Sequence, residues 1–165
     1  MKDNSVLDIL KSAMLLEMRG HAFYSQVAKT VTNKEVQDFF KHMANEETMH
    51  TELLGRQYKS YQEKGHFQKD NHKDANSVVD HVLSEAAKKD IGSASFEAAA
   101  IASAIDFEKR AVDLYGNRAK VATDPVEKDL YMWLSRWEQT HLDDLVKLDQ
   151  ELREKVWNDN SFWPM

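Results

Sequence analysis

Two stretches of this 165-residue chain, displaced by 91 positions, carry the same acids and histidines on what read as the apolar faces of helices. Glu17 falls on Glu108, Glu47 on Glu138 and His50 on His141 with no gap. Ser12/Ser103, Ala13/Ala104, Arg19/Arg110, Tyr24/Tyr115, Ala28/Ala119, Lys29/Lys120, Thr32/Thr123, Asp38/Asp129 and Leu54/Leu145 keep the same offset. Two amphipathic hairpins share apolar positions by default. Shared charges on the apolar stripe are different, because a charge is rarely fully buried unless it is paired or metal-bound.

The stripes themselves set the fold class. Leu10, Ala13, Glu17, Gly20, Tyr24, Val27 and Val31 recur at spacings of three and four, as do Val36, Phe40, Met43, Glu47, His50 and Leu54, followed by Tyr61. Ile101, Ala104, Glu108, Ala111, Tyr115 and Ala119 form a third stripe, and Tyr131, Leu134, Glu138, His141, Leu145, Leu148 and Leu152 a fourth. This is the one-face period of an α-helix. Only 5 Gly and 2 Pro interrupt the chain, and no strand-like alternation is present, so an all-α protein is expected. Thr32-Asn33-Lys34-Glu35 reads as a capping box opening the second helix. Asp124 suits an N-cap and Pro125 the first position of the last helix. From about Gln62 to Asp90 the pattern loosens, with a short helix expected from Ser77 to Lys89. The chain therefore reads as one domain over 1–165, with helices at about 5–31, 34–62, 77–89, 93–122 and 125–156. These make two antiparallel hairpins joined by a long crossover into a four-helix bundle. The tail after Trp157 is rich in aromatics suited to packing on the bundle or on another subunit.

Glu-x-x-His places two ligands on one helix face. The chain contains three: Glu47/His50, Glu63/His66 and Glu138/His141. Glu63/His66 encloses Gly65, lies where the second stripe fades and has no repeat partner, so it reads as chance. The other two pass a geometric test. Residues equidistant from a hairpin turn lie at one height, and the midpoints of 17/47 and 108/138 are Thr32 and Thr123, at the two expected turns. With about 1.5 Å of rise per residue, all four Glu then sit roughly 22 Å from the turns. Four ionised carboxylates in an apolar core would repel one another and resist desolvation. Two divalent cations neutralise them, unless several Glu are protonated. The chain has no Cys, which excludes thiolate sites, disulfides and Fe–S clusters. Carboxylate and imidazole ligands suit Fe or Mn and admit Zn. Glu47 and Glu138 would be shared between the ions, with Glu17 and Glu108 each terminal on one ion beside one His.

The motifs Glu17 with Tyr24, Glu46-Glu47-Thr48-Met49-His50, Glu108 with Tyr115, and Glu138-Gln139-Thr140-His141 resemble the ferritin-like superfamily. The closest likeness is to rubrerythrin-like members lacking a rubredoxin domain. The resemblance implies a non-haem di-iron bundle that reacts with hydrogen peroxide or dioxygen, holds its iron with Glu17, Glu47, His50, Glu108, Glu138 and His141, and assembles as a dimer or larger. Two departures qualify it. Without cysteines the electrons must come from an external donor such as a rubredoxin-like protein. The additional carboxylate that rubrerythrins carry one turn from the equivalent of Glu108 is absent, because Ala104, Ile105, Ala111 and Val112 occupy those turns. The six-ligand set is in that respect closer to bacterioferritin, so a ferroxidase or iron-handling protein is the alternative, and a structural metal-binding bundle the second.

Tyr24 and Tyr115, two turns beyond Glu17 and Glu108, suit core packing and support of the ligand carboxylates equally. His21, four residues after Glu17, could approach the site, although its repeat partner is Val112. Glu46 is expected to point off the ligand face, Glu97 to be an ordinary early-helix acid, and His42, His66, His72 and His81 to be solvated. Met14, Met43 and Met49 read as core filler. A net charge of −6 disfavours nucleic acid and anionic membranes as partners. No apolar run approaches the roughly 20 residues of a membrane span. Met1-Lys2-Asp3-Asn4 does not open a signal peptide, so a cytoplasmic location is expected.

Overall fold

The computed structural model describes residues 4–71, 83–92 and 95–158, and every regular element among them is a helix. The helices are α1 (Asn4–Thr30), α2 (Lys34–Lys64), α3 (Glu85–Asp90), α4 (Phe96–Val121) and α5 (Pro125–Asn158). α1 pairs with α2 and α4 with α5, each pair an antiparallel hairpin. No described helix is long and apolar enough to cross a membrane.

The helix ends show which sequence signals act. Asp124 Oδ1 accepts from Val126 N at 2.8 Å and caps α5 as expected. The capping box at Thr32 does not form. Asn33 is the cap instead, its Oδ1 accepting from Glu35 N at 3.0 Å and Val36 N at 3.2 Å. Glu35, the expected box partner, accepts from Ser84 N at 2.7 Å and Ser84 Oγ at 2.9 Å. It anchors the far end of the crossover, a long-range demand that overrides the local motif. The expected helix over 77–89 lies partly outside the described residues, as does its cap Ser77. Within them, Leu83 and Ser84 are not helical, and α3 starts at Glu85 with Ser84 as its cap. α4 begins at Phe96, capped by Ser95, three residues later than expected.

The described parts of the crossover pack on the two opposite halves of the bundle. Gly65 ends α2 in the left-handed region (φ 76°), where a Cβ would be strained, and its N–H returns to Tyr61 O. Gln57 then grips the departing chain, donating to Gln68 O at 2.8 Å and accepting from Gln68 N at 2.9 Å. Phe67 buries against the α2 C-terminal half, beside Tyr61. Leu83, Ala87 and Ile91 bury near the other end, in a cluster with Val31 and Val36.

The core is divided in two. One apolar cluster includes Tyr24, Met43, Ala104 and Leu145. The other includes Ala13, Leu53, Leu54, Ala111 and Leu134. On every long helix the break between the clusters falls where a Glu, or a Glu-x-x-His, interrupts the stripe. A layer of charged groups thus lies between two hydrophobic halves.

Candidate metal centre

That layer holds the six residues the repeat singles out. Glu17 on α1, Glu47 and His50 on α2, Glu108 on α4, and Glu138 and His141 on α5 are each at most 1% exposed. They fall into two groups of four: Glu17, Glu47, His50 and Glu138, and Glu47, Glu108, Glu138 and His141. Within each group one ligand atom per residue lies within 4.8 Å of the others. Glu47 and Glu138 belong to both groups, which matches their expected shared position.

Hydrogen bonds aim the side chains across the bundle. Tyr24 on α1 donates to Glu108 Oε1 on α4, and Tyr115 on α4 donates to Glu17 Oε1 on α1. Each tyrosine thus supports the carboxylate of the other hairpin, an exchange that preserves the repeat's symmetry. Burial, then the facing carboxylates, raise both phenols well above their ordinary value, so both remain proton donors. His50 Nδ1 lies 2.8 Å from Glu138 Oε1 and 3.3 Å from Glu17 Oε2. His141 Nδ1 lies 3.3 Å from Glu138 Oε2 and 3.9 Å from Glu108 Oε1. Both histidines therefore present Nδ1 to the carboxylates.

The cluster is short of partners. Among the described residues, both oxygens of Glu47 and Glu108 Oε2 are buried with no hydrogen-bond partner, and the oxygens of Glu138 meet the two imidazoles only as ion pairs. Unmade hydrogen bonds of this kind cost about 1–3 kcal/mol each, more for charged groups. Without a metal ion, protons carry the balance. Burial, then the neighbouring acids Glu17 and Glu138, push Glu47 well above the carboxylate range. Burial and Glu138 do the same to Glu108. Burial alone would lower His50, but Glu138 and Glu17 outweigh it and hold it at about 10. His141 is raised in the same way, and burial of Glu138 is outweighed by the two imidazoles, which hold it below the usual range. Orphaned carboxylate oxygens, inward imidazole nitrogens and two overlapping groups of four donors are what a pair of cations needs. The cluster fits a metal site.

A family model for rubrerythrin matches residues 8–149, which takes in both hairpins and all six of these residues. The chain belongs to the rubrerythrin family. No curated protein and no solved structure matches it. Membership suggests a di-iron carboxylate protein with oxidoreductase activity in general terms.

Against that family background, the other sequence readings divide. Among the described residues no further carboxylate joins either group of four, and Ala104 and Ala111, two of the positions one turn from Glu108, are buried apolar residues. Glu63 and His66 are exposed and apart from the site. His21 is also exposed and lies outside both groups, its Nδ1 donating to Ala44 O at 2.9 Å. Met43 is buried filler, whereas Met49 is half-exposed. His72 and His81 and the aromatic tail beyond residue 158 lie outside the described residues.

Glu46 corrects the sequence reading. It is buried, not off the site: its Oε2 accepts from His141 Nε2 and, at 3.1 Å, from Trp137 Nε1. Its Oε1 lies 3.0 Å from Nε2 of exposed His42. His42 is therefore paired as well as solvated. Burial would raise the Glu46 carboxyl, but the His141 hydrogen bond and charge, with the Trp137 indole, hold it below its ordinary value. The signal was present in the spacing, since Met43, Glu46, His50 and Leu53 form a second three-and-four stripe that faces α5.

Gly20 is a further residue whose role the sequence left unstated. A Cβ there would lie 2.7 and 2.8 Å from the Phe107 ring and 3.1 Å from Glu47 Cδ. The missing side chain lets α1 approach α4 without displacing Glu47. Gly20→Ala is expected to weaken metal binding at least ten-fold. It should also leave the protein no more stable, although alanine is favoured in a helix by about 1 kcal/mol. Thermal unfolding and metal titration of the variant check this, and a raised Tm with unchanged affinity contradicts it.

Proposed function

We propose that this protein is a non-haem di-iron oxidoreductase of rubrerythrin type, reducing hydrogen peroxide, or dioxygen, with electrons from an external donor. The observation that carries the reading is the pair of overlapping donor groups, each with one His and sharing Glu47 and Glu138. Glu17 and His50 would hold one ion, Glu108 and His141 the other, and Glu47 and Glu138 both. Manganese or zinc would fit the same donors. Two iron ions cycling between ferrous and ferric would supply the two electrons that, with two protons, convert one hydrogen peroxide to two waters.

The chain's own residues do the positioning. Tyr24 and Tyr115 fix the orientation of Glu108 and Glu17, and each keeps a proton on its oxygen beside the carboxylate. The apolar clusters above and below exclude bulk water and strengthen every charge interaction in the layer. With no Cys in the sequence, electrons must be delivered by another centre. A rubredoxin-like partner and a homodimeric assembly are the expectations drawn from the family, and a cytoplasmic setting suits this chemistry.

The test is anaerobic stopped-flow absorption of the ferrous-loaded protein mixed with one equivalent of hydrogen peroxide. Oxidation of both irons per peroxide, faster than with an equivalent of dioxygen, supports the reading. Fast reaction with dioxygen and slow reaction with peroxide would move the assignment to a bacterioferritin-like ferroxidase. The buried Ala104 and Ala111, in place of an extra acid, are the observation favouring that second reading. Gel filtration separates the two further, since iron storage requires a hollow multi-subunit cage.

A further inference from the structure

The 91-residue repeat matches the ligands and the tyrosines but fails directly behind the two imidazoles. Glu46 stands opposite Trp137, and His42 opposite Trp133. The two histidines consequently have different surroundings at the nitrogen that faces away from the carboxylates. His141 Nε2 donates to Glu46 Oε2, and Glu46 is itself fixed by Trp137 Nε1 at 3.1 Å and His42 Nε2 at 3.0 Å. His50 Nε2 is buried with no hydrogen-bond partner among the described residues. Its ring stands nearly perpendicular to Trp133 and Trp137, with centroids 5.8 and 5.5 Å away.

A carboxylate that accepts the outer N–H of an imidazole fixes the tautomer, leaves the inner nitrogen with its lone pair free, and makes that nitrogen a better donor to a cation. It also adds a negative charge one ring away from the ion. An outer nitrogen without an acceptor, as on His50, gains none of these. We propose that Glu46 makes the two metal positions inequivalent, so that the position formed by Glu108, His141 and the shared Glu47 and Glu138 binds its ion more tightly and fills first. Glu46 acts through His141 and is a positioning residue. The inference rests on the metal-centre reading of the cluster above.

Titration of the metal-free protein with Co²⁺, followed by visible absorption and calorimetry, tests it. The wild type is expected to bind two ions in two steps. In Glu46→Gln, which keeps the size and an acceptor oxygen, the tighter step should weaken by about 10–100-fold. The looser step, the stoichiometry and the helical circular dichroism should be unchanged. Glu46→Asp should restore part of the loss. Single-position variants assign the step: Glu46→Gln should weaken the ion retained in His50→Ala and not the one retained in His141→Ala. Two equal wild-type affinities overturn the inference, as does equal weakening of both steps, or weakening confined to the ion retained in His141→Ala. A wild type that binds no Co²⁺ at all would instead overturn the metal-centre reading itself.

Discussion

Glu47→Ala is expected to abolish binding of both ions, and Glu138→Ala to do the same. Each of these carboxylates supplies an atom to both groups of four donors, so removing either takes one ligand from each position. It also leaves only three carboxylates to balance the charge of two divalent cations. Glu17→Ala and Glu108→Ala each remove a ligand from one group only, and should lower the stoichiometry toward one ion per chain. The contrast is the informative part. The shared-ligand variants should show at least a hundred-fold loss in affinity for the pair, and the terminal-ligand variants a loss confined to one step. Metal analysis after dialysis, with circular dichroism to confirm the helices, measures this. Two ions retained at full occupancy in Glu47→Ala would contradict the assignment. The two variants should differ in metal-free stability. Glu47→Ala removes an acid that its neighbours push up and should unfold no more readily than the metal-free wild type, although it leaves a cavity. Glu138→Ala takes the charge partner from two buried imidazoles and should unfold more readily.

The second large effect is on the pH dependence of stability, which should be steep in the metal-free protein and flatten when metal is added. In metal-free protein, Glu47, Glu108, His50 and His141 all titrate above their ordinary values, His50 at about 10. The folded state then holds protons that the unfolded chain has released. A group with a raised folded pKa stabilises fully below its unfolded value, and that contribution is lost as pH rises toward the folded one. For the carboxyls the loss begins above about 4.5, and for the histidines above about 6.5. Glu138 is lowered, so its contribution is lost in acid, below about 4.5, and does not alter the sign in the neutral range. Metal-free protein should lose about 1.4 kcal/mol per pH unit for each excess proton held between pH 6.5 and 9. A cation must displace those same protons, so its affinity, and the stabilisation it confers, rise with pH. Scanning calorimetry with and without Zn²⁺ should show the Tm of the metal-free protein falling from pH 6.5 to 9 while the gap to the loaded protein widens. A metal-free Tm that rises over this range would contradict the proton-balanced cluster.

The features that locate the site were legible because they are periodic. Glu17, Glu47, Glu108 and Glu138 interrupt apolar stripes at matched heights, and the structure places all four in one layer with His50 and His141. The order of the four long helices follows from the same stripes and from the Asp124-Pro125 signal. What was not legible depends on contacts between distant segments. Glu35 abandons its local capping box because Ser84, 49 residues away, presents two donors. Glu46 differs in another way, since its stripe was readable but its partners were not. Only the packing of α2 against α5 brings His141 and Trp137 to its carboxylate. Tyr24 and Tyr115 stood between packing and support in the sequence. The structure gives them both roles, each buried and each bonded to the carboxylate of the opposite hairpin.

The central claim is that two metal ions sit between four glutamates and two histidines in the middle of the bundle. Anomalous diffraction from crystals loaded anaerobically with Fe²⁺ tests it most directly, since the peaks locate the ions without reference to activity. The expected result is two peaks per chain, about 3.5–4 Å apart, with Glu47 and Glu138 reaching both. A single peak, or iron found only at surface acids with the six residues still paired among themselves, would contradict it.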